Sequence, residues 1–175
     1  MSNLAGEDDG VAHATDAVDL GGGVLCRRAT PPDVLPALRM ILGASGHLAE
    51  EAQAADFMRI TTRRGVQLSD IHVADTREGL IWAVLPMLSP GRTMLLMGAS
   101  VHFAGEYLPA VRQVIENVCQ KFADRGVQLA QALLDPADPH TLQSYMSAGF
   151  ERMAELIYLH RTLRRAPAPP PLPPA

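Results

Sequence analysis

The chain has 175 residues, 47% of them hydrophobic and 19% charged, with a formal net charge of −4. That composition is globular, and the length suffices for one domain with a sizeable core. Two cysteines, Cys26 and Cys119, exclude a disulfide scaffold and a four-cysteine zinc site. The acidic balance argues against a general nucleic-acid binder. No basic stretch followed by an apolar one opens the chain, so no secretory signal is expected. The most apolar region, 79–101, is broken by Ser89-Pro90-Gly91-Arg92. This is turn chemistry between two strands, so no membrane span is expected and a cytoplasmic location follows.

In chain order, residues 1–23 hold Glu7, Asp8, Asp9, Asp16 and Asp19 and no Lys or Arg, ending in Gly21-Gly22-Gly23. They predict a disordered acidic arm. Residues 24–28 suggest a short strand. Thr30-Pro31-Pro32-Asp33 is a helix start, with Thr30 as N-cap, Pro31 at N1 and Asp33 near the positive end of the dipole. Leu35, Leu38, Ile41 and Leu42 form its apolar stripe, and Gly43 stops it. A second helix, poor in large apolar residues, is expected over 48–63.

Three strands follow, over 71–75, 80–88 and 93–99, joined by short turn-like links that indicate an antiparallel meander. Pro86 cannot donate to a ladder and marks a bulge or an unpaired side. A strong amphipathic helix then carries Leu108, Val111, Ile115, Val118, Cys119 and Phe122 on one face, with Gly126 as its stop. A strand over 127–134 has few charges and is expected to be central. Asp138-Pro139 caps a short helix ending at Gly149, and 150–163 is the last strand. Residues 164–175, almost wholly Pro and Ala after the arginines, form a Pro-rich disordered tail. The folded domain is therefore 24–163. Its order βααβββαβαβ makes an α/β (α+β) fold with a mixed central sheet, because a helix joining two strands normally makes a parallel crossover. A cleft is expected where the parallel strands part, after residues 93–99 and 127–134.

One local motif lies in that frame: Asp138-Pro139-His140-Thr141-Leu142-Gln143-Ser144-Tyr145-Met146-Ser147-Ala148-Gly149-Phe150. Together with the element order over 24–163, it resembles the N-x-x-A-x-x-x-Y-x-x-x-G-F segment of the GNAT N-acetyltransferases. Tyr145, Gly149 and Phe150 match; Asp138 and Thr141 replace the Asn and Ala. The resemblance implies transfer of an acetyl group from acetyl-CoA to an amine, on a small molecule or a peptide. It implies that Gly98, Ala99 and Ser100 offer backbone groups to pantetheine and thioester. It implies that the helix start at Leu108 and Ala110 holds the pyrophosphate, and that Tyr145 protonates the departing thiolate.

The family's pyrophosphate loop, R/Q-x-x-G-x-G/A, falls on Gly105-Glu106-Tyr107-Leu108-Pro109-Ala110, where only Ala110 fits. Pro109 removes an N–H, Leu108 stands where a glycine admits phosphate, and Glu106 brings like charge. Two readings stay open: an acyl-CoA-dependent N-acyltransferase, and a non-catalytic interaction module on the same fold that has lost CoA binding.

The other candidates are His102 and His72 as bases, and the carboxylates Asp70, Asp75, Glu78 and Glu106. No pair of histidines has metal-ligand spacing, so no metal is expected. One strand after Gly149, where the family commonly has two, leaves an edge; a homodimer through strand pairing, or cover by the Pro-rich tail, would satisfy it.

Overall fold

The computed structural model describes residues 17–44, 46–102 and 107–156. Strands β1 (Val18–Asp19) and β2 (Leu25–Arg28) come first, then helices α1 (Pro31–Ile41) and α2 (Glu51–Arg63). A short 3-10 turn, Leu68–Asp70, leads into β3 (His72–Thr76), β4 (Gly79–Ser89) and β5 (Thr93–Gly98). Helix α3 (Leu108–Asp124), β6 (Leu129–Ala132) and α4 (Pro139–Ser147) complete the described elements. The sheet order is β1-β2-β3-β4-β5-β6. Pairing is antiparallel from β1 to β5 and parallel between β5 and β6. This is the mixed α/β sheet that the sequence order predicts.

Four expectations shift. The N-terminal arm was expected to reach residue 23, but Val18 and Asp19 pair with Cys26 and Leu25 across a turn of three positive-φ glycines, Gly21 to Gly23. Residues 1–16 lie outside the described residues. The strand after α3, expected to be central, is the edge of the described sheet. Its expected neighbour over 150–163 is not a strand at 150–156, and the remainder lies outside the described residues, as does the Pro-rich tail. The second helix starts at Glu51 rather than residue 48.

Side-chain alternation divides the core into two layers. His72, Ala74, Trp82, Val84, Met94 and Leu96 share a face by register. All but His72 belong to the cluster that α3 and Tyr145 of α4 complete. Val73, Ala83 and Leu85 face the other way, onto Ala37, Leu38 and Ile41 of α1 and Ala54 of α2. Helix α3 buries Val111, Val114, Ile115, Val118 and Phe122 completely or nearly so. At about 2 kcal/mol per side chain, that face contributes roughly 10 kcal/mol before chain entropy is counted. Pro86 stands opposite Leu96 of β5, while β3 ends opposite Val84, so its missing N–H meets no strand on the other side.

Polar anchors fix the helices to the sheet. Asp33 Oδ2 accepts the Thr30 N–H at 2.8 Å and the Thr30 hydroxyl at 2.6 Å. The Arg27 guanidinium bridges Asp33 at 2.6 Å and Asp75 at 2.7 Å, joining α1, β2 and β3. The hydrogen bond from Arg27 holds the Asp33 carboxyl down at about 2. His72 is fully buried, with Nδ1 bonded to the Asp70 carbonyl at 2.8 Å. A carbonyl only accepts, so Nδ1 carries the proton and Nε2 is a bare acceptor. Burial pushes the imidazole down to about 4.

These two groups predict a two-stage acid response. The unfolded chain binds a proton on His72 near pH 6.5, and the folded chain resists until about 4. Stability is therefore full above pH 6.5 and falls by up to about 3 kcal/mol as pH drops to 4. The Asp33 contribution is present above 3.8 and is lost only as pH falls towards 2. Urea midpoints measured from pH 7 to pH 3 check this. His72→Gln is expected to flatten the upper stage, and a parent curve already flat between pH 6.5 and 4 would mean that His72 is solvated.

Candidate functional site

The parallel strands part early. β5 and β6 are paired in four rows, from Thr93↔Leu129 to Leu96↔Ala132. Met97 and Gly98 continue along β4, opposite Leu85 and Val84, with no β6 residue beside them. Backbone groups alternate sides along a strand. The Ala99 N–H donates to Ala83 O at 2.9 Å on the β4 side. The Gly98 N–H, one residue earlier, therefore faces the side that β6 has left.

Tyr145 sits at this divergence. It is 1% exposed, and its Oη has no hydrogen-bond partner. A Cβ built on Gly98 would lie 2.5 Å from that oxygen and 2.9 Å from Cζ2 of Trp82. The phenol thus packs directly under the strand, in the space that a side chain at residue 98 would fill. Burial, with a smaller effect from Cys119, raises the phenol well above its ordinary value. The group keeps its proton at every pH the protein would meet. Phe150 packs edge-on against the ring at 5.2 Å. The short helix carrying Tyr145 is fixed by its cap: the Thr141 N–H and hydroxyl donate to Asp138 at 3.1 and 2.6 Å.

The next backbone groups have partners within the chain, which sequence reasoning missed. Ala99 O accepts the Trp82 indole N–H at 2.7 Å, and its N–H is committed to β4. The Val101 N–H donates to Thr141 Oγ1 at 2.7 Å. Burial raises the Asp138 carboxyl, but hydrogen bonds from Thr141 and Ser100 outweigh it and leave the group below its usual range. Of the three residues proposed for pantetheine and thioester, Gly98 keeps an outward-facing N–H, Ala99 is engaged at both backbone groups, and Ser100 is tied to Asp138. The single Trp and the residue at i+3 of α4 carried the signal, but only the strand register reveals their targets.

The start of α3 differs from a phosphate cradle. Tyr107 is the N-cap and makes no side-chain cap, and Pro109 stands in the first turn. Ala110 is buried in the core, 6% exposed. Leu108 and Pro109 instead line a shallow groove of about 230 Å³ with Arg112, Gln143, Ser144 and Ser147. Gly105 and Glu106 lie outside the described residues. Arg112 is the cation of this groove; it pairs with Glu116 at 3.3 Å. The sequence placed it on the polar face of the helix, and its i+4 spacing from Leu108 was the available clue.

The remaining candidates are dispersed. His102 is exposed, and its Nε2 accepts the Gly46 N–H at 2.6 Å. Asp70 pairs with Arg125 and Arg28, and Asp75 with Arg27. Glu78 is exposed in the β3–β4 turn. Cys119 packs against the core, and burial pushes its thiol up to about 11. Among the described residues, no three of His, Cys, Asp and Glu converge as metal ligands would. No described helix is long and apolar enough to cross a membrane.

The contact beneath Gly98 predicts a coupled pair. Gly98→Ala overpacks the site and should cost about 1–3 kcal/mol. In a Tyr145→Phe background the cost should be smaller, because the nearest atom is gone. Tyr145→Phe alone should leave stability unchanged or raise it, since the lost hydroxyl had no partner. A double-mutant cycle by chemical denaturation measures the coupling, and strictly additive losses would place the phenol elsewhere.

Neither the protein-family models nor the curated proteins give a match to this chain. Solved structures do. A transcriptional regulator from Bacillus halodurans C-125 superposes with a TM-score of 0.58 at 18% identity, over 78% of this chain and 99% of that one. A ribosomal-protein-alanine N-acetyltransferase from Brucella melitensis gives 0.54 at 15%, over 74% and 85%. An N-acetyltransferase from Staphylococcus aureus Mu50 gives 0.55 at 11%, over 75% and 85%. Identities this low carry architecture alone. In its architecture, the chain shares the fold of GNAT-type acetyltransferases.

Proposed function

We propose that the protein is an acyl-CoA-dependent N-acyltransferase whose reacting centre is the parting of β5 and β6 at Gly98. The observation that carries this reading is the buried, unpartnered hydroxyl of Tyr145 beneath a strand residue with no side chain. A buried polar atom without a partner costs free energy, and it is retained most simply where a ligand completes it. When bound, acyl-CoA supplies the acyl group as a thioester. The Gly98 N–H faces the open side of β5 and would polarise the thioester carbonyl. Tyr145 holds a proton at Oη, the state that an acid for the leaving sulfur needs. The fold of the acetyltransferase neighbours supports the reaction class.

The thioester end suits such a ligand better than the phosphate end. Pro109 and Ala110 contribute no open N–H cradle, so the anionic part would depend on Arg112, with Gln143 and Ser147 across the groove. Exposed ion pairs are weak, and Arg112→Ala is expected to lower acetyl-CoA affinity about fivefold, read by calorimetry.

One set of observations favours the second reading, a GNAT-fold interaction module without cofactor. Both backbone groups of Ala99 and the N–H of Val101 are satisfied by the chain itself. Calorimetry with acetyl-CoA on the full chain separates the two: no heat and no transfer to a broad amine panel would leave the module.

If binding occurs, Tyr145→Phe tests the acid. Turnover should fall by about two to four orders of magnitude while acetyl-CoA affinity stays nearly constant. Full transfer by the Phe variant would remove Tyr145 from the chemistry.

A further inference from the structure

The connection between α1 and α2 is held at two places. At its base the Ala49 N–H donates to Arg39 O at 2.9 Å, and Arg39 Nε donates to Ala49 O at 2.9 Å. Further out, Ala44 and His47 form an isolated antiparallel bridge, closed by the His47 N–H on Ala44 O at 3.0 Å. Gly46 lies between them with a φ of +82°. Its N–H donates to Nε2 of His102, far along the chain, at 2.6 Å. The ring also covers the glycine: a Cβ built there would stand 3.3 Å from His102 Cγ. The positive φ and the close approach both favour glycine at this position.

His102 belongs to the chain that leaves β5, four residues beyond Gly98 and at most about 14 Å from it. The residue before it is fixed, because the Val101 N–H donates to Thr141 Oγ1 at 2.7 Å. An accepting ring nitrogen carries no proton, so this imidazole is neutral and protonated at Nδ1. The titratable groups around it come from two elements. The α1–α2 connection carries His47, exposed and next in sequence to Gly46. The start of α4 carries Asp138 and, two residues on, exposed His140. Positive charge on His102 favours the ionised form of Asp138. The effect is reciprocal, so the Asp138 carboxylate favours the imidazolium.

We propose that His102 is a proton-operated tie: neutral, it holds the α1–α2 connection against the chain beyond β5 through Gly46, and protonated, it lets go. Histidine is the side chain whose ordinary titration falls between pH 5 and 8. Once Nε2 gains a proton, two N–H donors face each other with no acceptor between them. The bond to Gly46 is lost, and the imidazolium is drawn by the Asp138 carboxylate instead. The base of the connection holds in both states, because a guanidinium and a backbone pair lose no proton in this range. The tie sets a mild-acid response in the chain that follows the parting of β5 and β6. It is independent of the acyltransfer reading and stands or falls without it.

The test follows the Gly46 amide of the full, nitrogen-15-labelled chain by NMR from pH 8 to pH 5.5. Its proton resonance should move together with the titration of the His102 ring, with one midpoint. Its protection from hydrogen exchange, corrected for the intrinsic rate at each pH, should fall by about fivefold or more. The Ala49 amide should keep its protection over the same range. In His102→Ala, an exposed site whose loss leaves the core intact, the Gly46 resonance should already sit at its acid position at pH 8. In a His47→Gln, His140→Gln variant the Gly46 titration should persist. A Gly46 amide that ignores the His102 titration would overturn the proposal, as would a His102 ring still neutral at pH 5.5. A Gly46 titration unchanged in His102→Ala, or abolished in the His47→Gln, His140→Gln variant, would assign the response to another group. Loss of protection at Ala49 together with Gly46 would also overturn it, because the whole connection would then be opening.

Discussion

Trp82 stands in the longest strand, fully buried, and its indole must place one N–H inside an apolar core. It does so on Ala99 O at 2.7 Å, just past the end of β5. That bond and the ring itself determine much of the site. The ring lies over Gly98 and fills most of the space on that face, leaving room for one phenolic oxygen and no Cβ. The end of β5 is thereby held against β4, while its pairing with β6 ends at Leu96.

The same packing explains why Tyr145 is sealed. Its helix is short, and one cap residue holds both its start and the chain beyond β5: Asp138 binds Thr141, which accepts from Val101. Ser100 joins the same carboxylate. A network of this kind fixes α4 against the strand end more firmly than apolar contact alone, because each buried polar group would be costly to strand. The network also occupies the Val101 N–H, which is then closed to any ligand. Rigidity at the divergence and open backbone hydrogen bonding are in competition there.

Charge is organised by place as well. Arg27 spans two carboxylates between α1 and β3, so the N-terminal half of the sheet is stapled by a partly buried ion pair with bidentate character. At the other end of β3, Asp70 takes Arg28 and Arg125 at 3.7 and 3.4 Å, next to buried, neutral His72. The two regions sit on adjacent rows of β2, at Arg27 and Arg28, whose side chains point to opposite faces. Consecutive arginines on one strand thus serve opposite layers of the molecule.

Periodicity and punctuation in the sequence determined most of the elements. Thr30 to Asp33, Gly126, and Asp138-Pro139 mark helix ends that the structure keeps. The stripe of α3 and the meander of three strands were legible because their apolar repeats are strong and their turns are short. Tyr145 was legible through its spacing from Gly149 and Phe150. The rest required contacts between residues distant in sequence. Ala110, which fits a phosphate-loop pattern, faces the core because the rotation of α3 is set by Val111, Val114 and Ile115. Ala99 is engaged because the indole of Trp82, seventeen residues earlier, reaches its carbonyl. The strand after α3 is the edge of the described sheet because neighbours in a sheet are chosen by pairing, which composition does not encode. Local patterns specify which segments are helix and strand; which backbone groups stay open to a ligand is decided only when the packed side chains have taken theirs.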